Sequence, residues 1–136
     1  MRTSPNRLVA VIVGAGYLIA SVTGLIATAG VGMFAAPGRV LMGVFAINPA
    51  AALLDIAIAA ALLIAGLRSI AASKIVSTIV GAVFLVLGIA GLFVIGTAFN
   101  YLALNGADNV LHFGTAVILL AVGLGAERSV KTVITS

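Results

Sequence analysis

Four stretches of the chain are apolar for long enough to cross a bilayer, and almost nothing lies between them. They run from Leu8 to Thr28, Ala50 to Leu67, Ile75 to Phe99 and Asn109 to Ala126. About 20 apolar residues complete one helical crossing. Inside a bilayer every backbone N–H and C=O must be satisfied within the protein, which leaves helices or a closed barrel. Runs of this length without two-residue alternation are helices. Composition agrees: 63% of the 136 residues are hydrophobic and 7% are charged, where a soluble domain carries roughly 25% charged residues. The expectation is an all-α integral membrane four-helix bundle, residues 1–136 forming a single domain. The lipid bilayer is its first partner.

The net charge of +4 is spread thinly. Lys and Arg stand at the ends of the apolar runs, where membrane topology puts them, and no basic stripe or aromatic platform suits nucleic acid. With both termini cytoplasmic, the inner side carries Arg2, Arg7, Arg68, Lys74, Arg128 and Lys131, and the outer side only Arg39. That bias predicts N and C termini in the cytoplasm. Cysteine is absent, which removes disulfides and thiolate chemistry. The first thirty residues also have the layout of a signal peptide, with basic residues, an apolar stretch and "ATA" before Gly30. Their apolar stretch exceeds the usual length of about 7–15 residues, so they are read as a span.

Asn48 and Pro49 suit an N-cap and first turn for the second helix; Asn105 or Asp108 suits the cap of the fourth. Ala29–Ile47 is Gly-rich yet apolar, and is expected to lie in the interface or to fold back as a partial hairpin.

The chain also repeats itself. "NPAAALLDIAIAAALLIAGL" from Asn48 aligns without gaps on "NGADNVLHFGTAVILLAVGL" from Asn105, at an offset of 57. "IVGAGYLIASVTGL" aligns on "IVGAVFLVLGIAGL" at an offset of 67, pairing Gly14 with Gly81, Tyr17 with Phe84 and Gly24 with Gly91. The bundle is therefore read as two tandem helical-hairpin repeats, related by an axis along the membrane normal. Small residues at helix spacing (Gly16, Ala20 and Gly24 on the first helix, with Gly66, Gly81, Gly88, Gly91 and Gly123 elsewhere) are expected packing positions.

Asp55 and His112 fall opposite each other in the repeat. They form a candidate intramembrane polar pair, expected to meet across the bundle centre directly or through one water. Ionisable groups in a span mark functional pathways, but these two lie only about 8 Å and 5 Å along their helices. A metal or haem site needs several converging ligands, and Asp55, Asp108, His112, Met33 and Met42 are too few and too mixed a set. Neither a Ser-His-acid constellation nor a phosphate-cradling loop is present. The expectation is no enzyme and no cofactor. The function expected is that of an accessory or scaffold subunit packing against a membrane-protein partner or itself as a homo-oligomer; the alternative is a small proton-linked transporter or channel using Asp55 and His112.

"INPAAALLD" and "NGADNVLH" resemble the signature of a family of small, mostly actinobacterial four-helix membrane proteins, the domain of unknown function 4383. Its pattern is approximately Asn-x-x-His-Asn-x-x-His at a helix start, followed by a Gly/Leu-rich run. The resemblance covers essentially the whole chain. It maps the Asn anchor onto Asn48, Pro49 and Asn105, and the second Asn and final His onto Asn109 and His112. Ala51 and Asp108 stand where a first His is usual, and Asp55 where the last one is, so a role requiring several histidines does not carry over. The resemblance implies a bacterial cytoplasmic membrane location and this fold, and no activity.

Overall fold

A computed structural model describes residues 4–128; Arg2 and Lys131 of the charge argument lie outside them. Helix α1 spans Pro5–Ala27, strands β1 and β2 span Arg39–Leu41 and Phe45–Ile47, α2 spans Pro49–Arg68, α3 Ile70–Val94 and α4 Gly106–Leu120. A π-helical turn, Ala121–Gly125, continues α4. All four helices are long and apolar enough to cross a membrane, α4 being so together with its π-helical turn. The protein is a four-helix membrane bundle.

The helix ends are set by caps and not by where the apolar runs begin. Ser4 accepts from the Arg7 N–H, with Pro5 behind it, so α1 starts three residues before Leu8. Ser69 accepts from the Ala72 N–H, so α3 begins at Ile70 rather than Ile75 and takes Lys74 into its second turn. It ends at Val94 rather than Phe99, just before Gly96 with φ +78°. Asn48 caps α2 through the Ala51 N–H at 2.9 Å, with Pro49 in the first turn. Asn105, not Asp108, caps α4, so that helix starts at Gly106 rather than Asn109. Asp108 completes the capping box by accepting from the Asn105 N–H at 2.9 Å. Ala29–Ile47 folds back as a β-hairpin pairing Arg39 with Ile47 and Leu41 with Phe45. Its turn has φ +52° at Met42 and +70° at Gly43 and is closed from Val44 N–H to Leu41 C=O at 3.0 Å, the backbone of a type I′ turn.

The helices pair as two hairpins, α1 with α2 and α3 with α4. Apolar burial drives little inside lipid, so close van der Waals packing has to hold them together. Contacts correspond between the hairpins. A methyl group on Gly14 would lie 2.9 Å from Leu63 Cγ and 3.1 Å from Leu62 Cβ; one on Gly81 would lie 2.8 Å from Leu120 Cγ and 3.2 Å from Leu119 Cβ. Gly66 is pressed against the backbone of Arg7 and Val11, and Gly123 against that of Lys74 and Thr78. Each set is the other shifted by the two sequence offsets. Tyr17 and Phe84, equivalent positions, touch each other with ring centroids 4.9 Å apart, as residues beside a common axis do.

Gly24, Gly88 and Gly91 also pack closely, against Ile47, Phe113 and Asn109. Gly16 and Ala20 do not: both are exposed, with open space over Gly16. Four-residue steps drift about 40° around a helix of 3.6 residues per turn. The α1 stripe therefore reaches the buried face at Gly24 while Gly16 still points outward. The core between the hairpins is Ala10, Ile58, Leu62, Val80, Phe84, Ala116 and Leu119.

Candidate functional site

The seam between α1 and α4, where the two hairpins meet, is closed at one end and parted at the other. At the terminal end, Asn6 donates from its backbone N–H and its Nδ2 to Glu127 Oε2, at 3.3 and 2.8 Å. Midway, the Tyr17 and Thr115 hydroxyls share a hydrogen bond of 2.9 Å. Beyond that tie, toward the β-hairpin, the seam opens into a cavity of about 330 Å³. Leu41, Met42, Phe45, Ala46 and Ile47 of the hairpin roof it; Tyr17 and Ser21 of α1, Leu54 and Asp55 of α2, Leu87 of α3, and Asp108, His112 and Thr115 of α4 line it.

Asp55 and His112 thus share one cavity. Among the described residues no hydrogen bond or ion pair joins them, and none reaches the Asp55 carboxylate. His112 is buried, its ring stacked on Phe84 with centroids 5.2 Å apart and planes 28° apart. Phe84 in turn packs on Tyr17, so Tyr17 and His112, two rings that line the cavity, rest on the fully buried Phe84. His112 Nδ1 is occluded without a partner. A buried N–H without an acceptor is rarer than a bare lone pair, so this burial suits the tautomer with its proton on Nε2.

The other expected site residues do structural work. Asn48 is fully buried and donates from Nδ2 to Ala35 O at 3.1 Å and Tyr101 O at 2.8 Å, tying both connecting segments to the start of α2. Asn105 donates to Val44 O at 2.8 Å, fastening α4 to the hairpin. Asp108 holds its cap in the first turn of α4, where the positive helix end favours its charge. Asn109 donates to Gly88 O at 3.2 Å, and its Oδ1 faces the bare Cα of Gly91. That oxygen has no N–H or O–H partner, and a Cα–H contact from Gly91 is the interaction open to it. Met33 lies off the cavity and Met42 on its roof. No group of three His, Asp or Glu residues placed to hold a metal occurs among the described residues.

The Tyr17–Thr115 tie and the Asn6–Glu127 clamp escaped the sequence reading. Tyr17 did carry a signal, as a hydroxyl standing where its repeat partner has plain Phe84. The basic residues also do more than set topology. Arg7 donates to Gly66 O at 2.8 Å and Leu67 O at 3.0 Å; Lys74, its repeat counterpart, donates to Ala126 O at 3.0 Å. Each satisfies the free carbonyls at the C-terminal end of its partner helix.

Comparison with known proteins gives one match: the family model described as Domain of unknown function (DUF4383) covers residues 7–125. No curated protein and no solved structure matches the chain.

Proposed function

Because the chain belongs to the DUF4383 family, whose membership carries no activity, we propose a function from the cavity: a small, non-enzymatic, proton-linked transporter. The supporting observation is that Asp55 and His112 line one cavity, one as an unpartnered carboxylate and the other as an imidazole with an unpartnered nitrogen. A protein built only to pack its helices gains nothing from an ionisable carboxylate and an imidazole without partners, since ionisable groups inside a span are costly. As sites where a proton and a ligand exchange, they have a use. Asp108 and Tyr17 are the other titratable groups on the cavity.

Arg7, Arg68, Lys74 and Arg128 lie at the terminal end and Arg39 at the hairpin end, a bias that supports a cavity facing the outside of a bacterial cytoplasmic membrane. Access then alternates by rocking one hairpin against the other about the Tyr17–Phe84 contact, with Asn6–Glu127 as the inner closure. The test is reconstitution into liposomes with an internal pH-sensitive dye and a panel of cationic, neutral and anionic solutes. Solute-dependent proton movement, abolished by Asp55→Asn, supports the reading; its absence for the whole panel removes it.

The accessory or scaffold reading has one observation of its own. Gly16 and Ala20 present a small, lipid-facing surface that a second helix can approach closely. It predicts one defined oligomer, or a partner recovered in fixed ratio from mild detergent.

A further inference from the structure

The cavity's charge is one-sided. Two carboxylates, Asp55 and Asp108, lie on it, and no Lys or Arg does. Buried charges are paired or neutralised. Asp108 has its answer in the Asn105 N–H and the positive end of α4. Asp55 has none: it lies about 9 Å into α2 at 1.5 Å per residue, beyond the reach of the helix end. A proton can neutralise it, and a ligand that takes the proton's place brings a positive charge.

The walls say which kind. Apart from the carboxylates, His112 and a few hydroxyls, they are aliphatic and aromatic: Val13, Leu54, Leu87, Leu104 and Ile118, with Phe45 in the roof. A bare metal ion needs several oxygen or nitrogen ligands, and the described residues contain no such group. The volume, about 330 Å³, falls at the lower end of small-molecule sites. There is also a way in from the lipid. A second, shallower groove runs over Gly16, Ile19, Ala20 and Thr23 and shares Gly16, Ala20, Leu41 and Met42 with the cavity. The opening between α1 and the β-hairpin thus faces the bilayer.

We propose that the cavity binds a lipophilic organic cation, an amphiphilic amine or onium compound, which enters from the lipid between α1 and the β-hairpin and sets its charge beside Asp55. Its apolar body lies against the aliphatic walls, and its charge meets the one carboxylate that the fold leaves without a partner. This rests on reading the cavity as the working site, and names the substrate class for it.

The experiment is equilibrium binding to the full chain in lipid nanodiscs, with empty nanodiscs as blank. The probes are tetraphenylphosphonium and tetraphenylborate, near-identical in shape and opposite in charge. The expected result is saturable binding of the cation, one per chain, and none of the anion. Asp55→Asn should weaken the cation by about tenfold or more, because it removes one partner of a buried charge pair. Ala20→Phe, which leaves both carboxylates and obstructs the opening between α1 and the β-hairpin, should weaken it too; Ile64→Phe, on an exposed face outside the cavity, should not. If Asp55→Asn loses its cooperative thermal transition, the Ala20→Phe comparison decides alone. Equal saturable binding of both probes, or unchanged cation binding in folded Asp55→Asn, overturns the proposal. Cation binding without proton-coupled flux leaves this site standing and removes transport; flux confined to neutral or anionic solutes does the reverse.

Discussion

Gly24 and Gly91 hold the same place in the two hairpins, yet substituting each by alanine should have different consequences. A methyl group at Gly91 would overlap Asn109 Oδ1 and lie 2.7 Å from its Cγ and 2.8 Å from its Nδ2. Asn109 is buried and donates to Gly88 O, so it cannot step aside without losing that bond. Overpacking destabilises by about 1–3 kcal/mol and a lost hydrogen bond by about 0.5–1.5, offset by a helix-propensity gain of about 1. The net expectation for Gly91→Ala is a loss of about 0.5–3.5 kcal/mol. At Gly24 the methyl would meet Ile47 Cδ1, the far end of a flexible side chain, so the loss should stay below about 1 kcal/mol. Gly16→Ala meets nothing and should be neutral or slightly stabilising. The assay is unfolding by sodium dodecyl sulfate in mixed micelles, followed by far-ultraviolet circular dichroism. A Gly91→Ala variant as stable as Gly24→Ala would refute the reasoning, because the only difference invoked is what each methyl would strike.

Thr115→Val and Tyr17→Phe each remove the hydroxyl tie across the hairpins and should cost about 0.5–1.5 kcal/mol, with the double variant no worse than the poorer single one in the same assay. Glu127 lies outside the spans, and hydrogen bonds from Ser4 and Asn6 hold its carboxyl below the usual carboxylate range. A lowered pKa in the folded state means that the clamp's contribution is present above the ordinary carboxylate pKa and is lost as pH falls through the lowered one. Hydrogen exchange at the Asn6 amide should therefore stay slow through mild acid and quicken only below the ordinary range; Glu127→Gln should remove that step, and a step retained in the variant would assign it elsewhere. For topology, cysteines introduced at Met42 and Gly106 should react with an impermeant thiol reagent in intact cells and one at Ala71 should not. All three positions are exposed, and labelling at Ala71 would reverse the orientation.

What could be read from the chain were features with strong local chemistry. Apolar length announced four spans. Asn48 with Pro49, and Asn105 with Asp108, announced two helix starts, because an N-cap needs only its own neighbours. The two offsets anticipated that Gly14 meets Leu62 and Leu63 as Gly81 meets Leu119 and Leu120. Counting apolar residues failed at the starts of α1 and α3, where the caps Ser4 and Ser69 begin the helix before the run and bring the basic residues Arg7 and Lys74 inside it. That Ala29–Ile47 can fold back as a partial hairpin was legible, but its strands were not, because three-residue strands leave too little alternation to see. The cavity was illegible for a different reason. It arises where α1 and α4 fail to touch, and periodicity within one helix says nothing about the gap between two.

The central claim is that Asp55 stands in a cavity open on the hairpin side of the membrane and closed on the other by the Asn6–Glu127 clamp. Cysteine accessibility tests it most directly, using Asp55→Cys and, one turn deeper, Ala59→Cys at a fully buried position. With a small water-soluble thiol reagent, the cysteine at position 55 should react faster in intact cells than in inside-out vesicles, where it is reached only as access alternates, and the one at 59 should react in neither. Faster reaction at position 55 from the cytoplasmic face, or none from either face, would contradict the account.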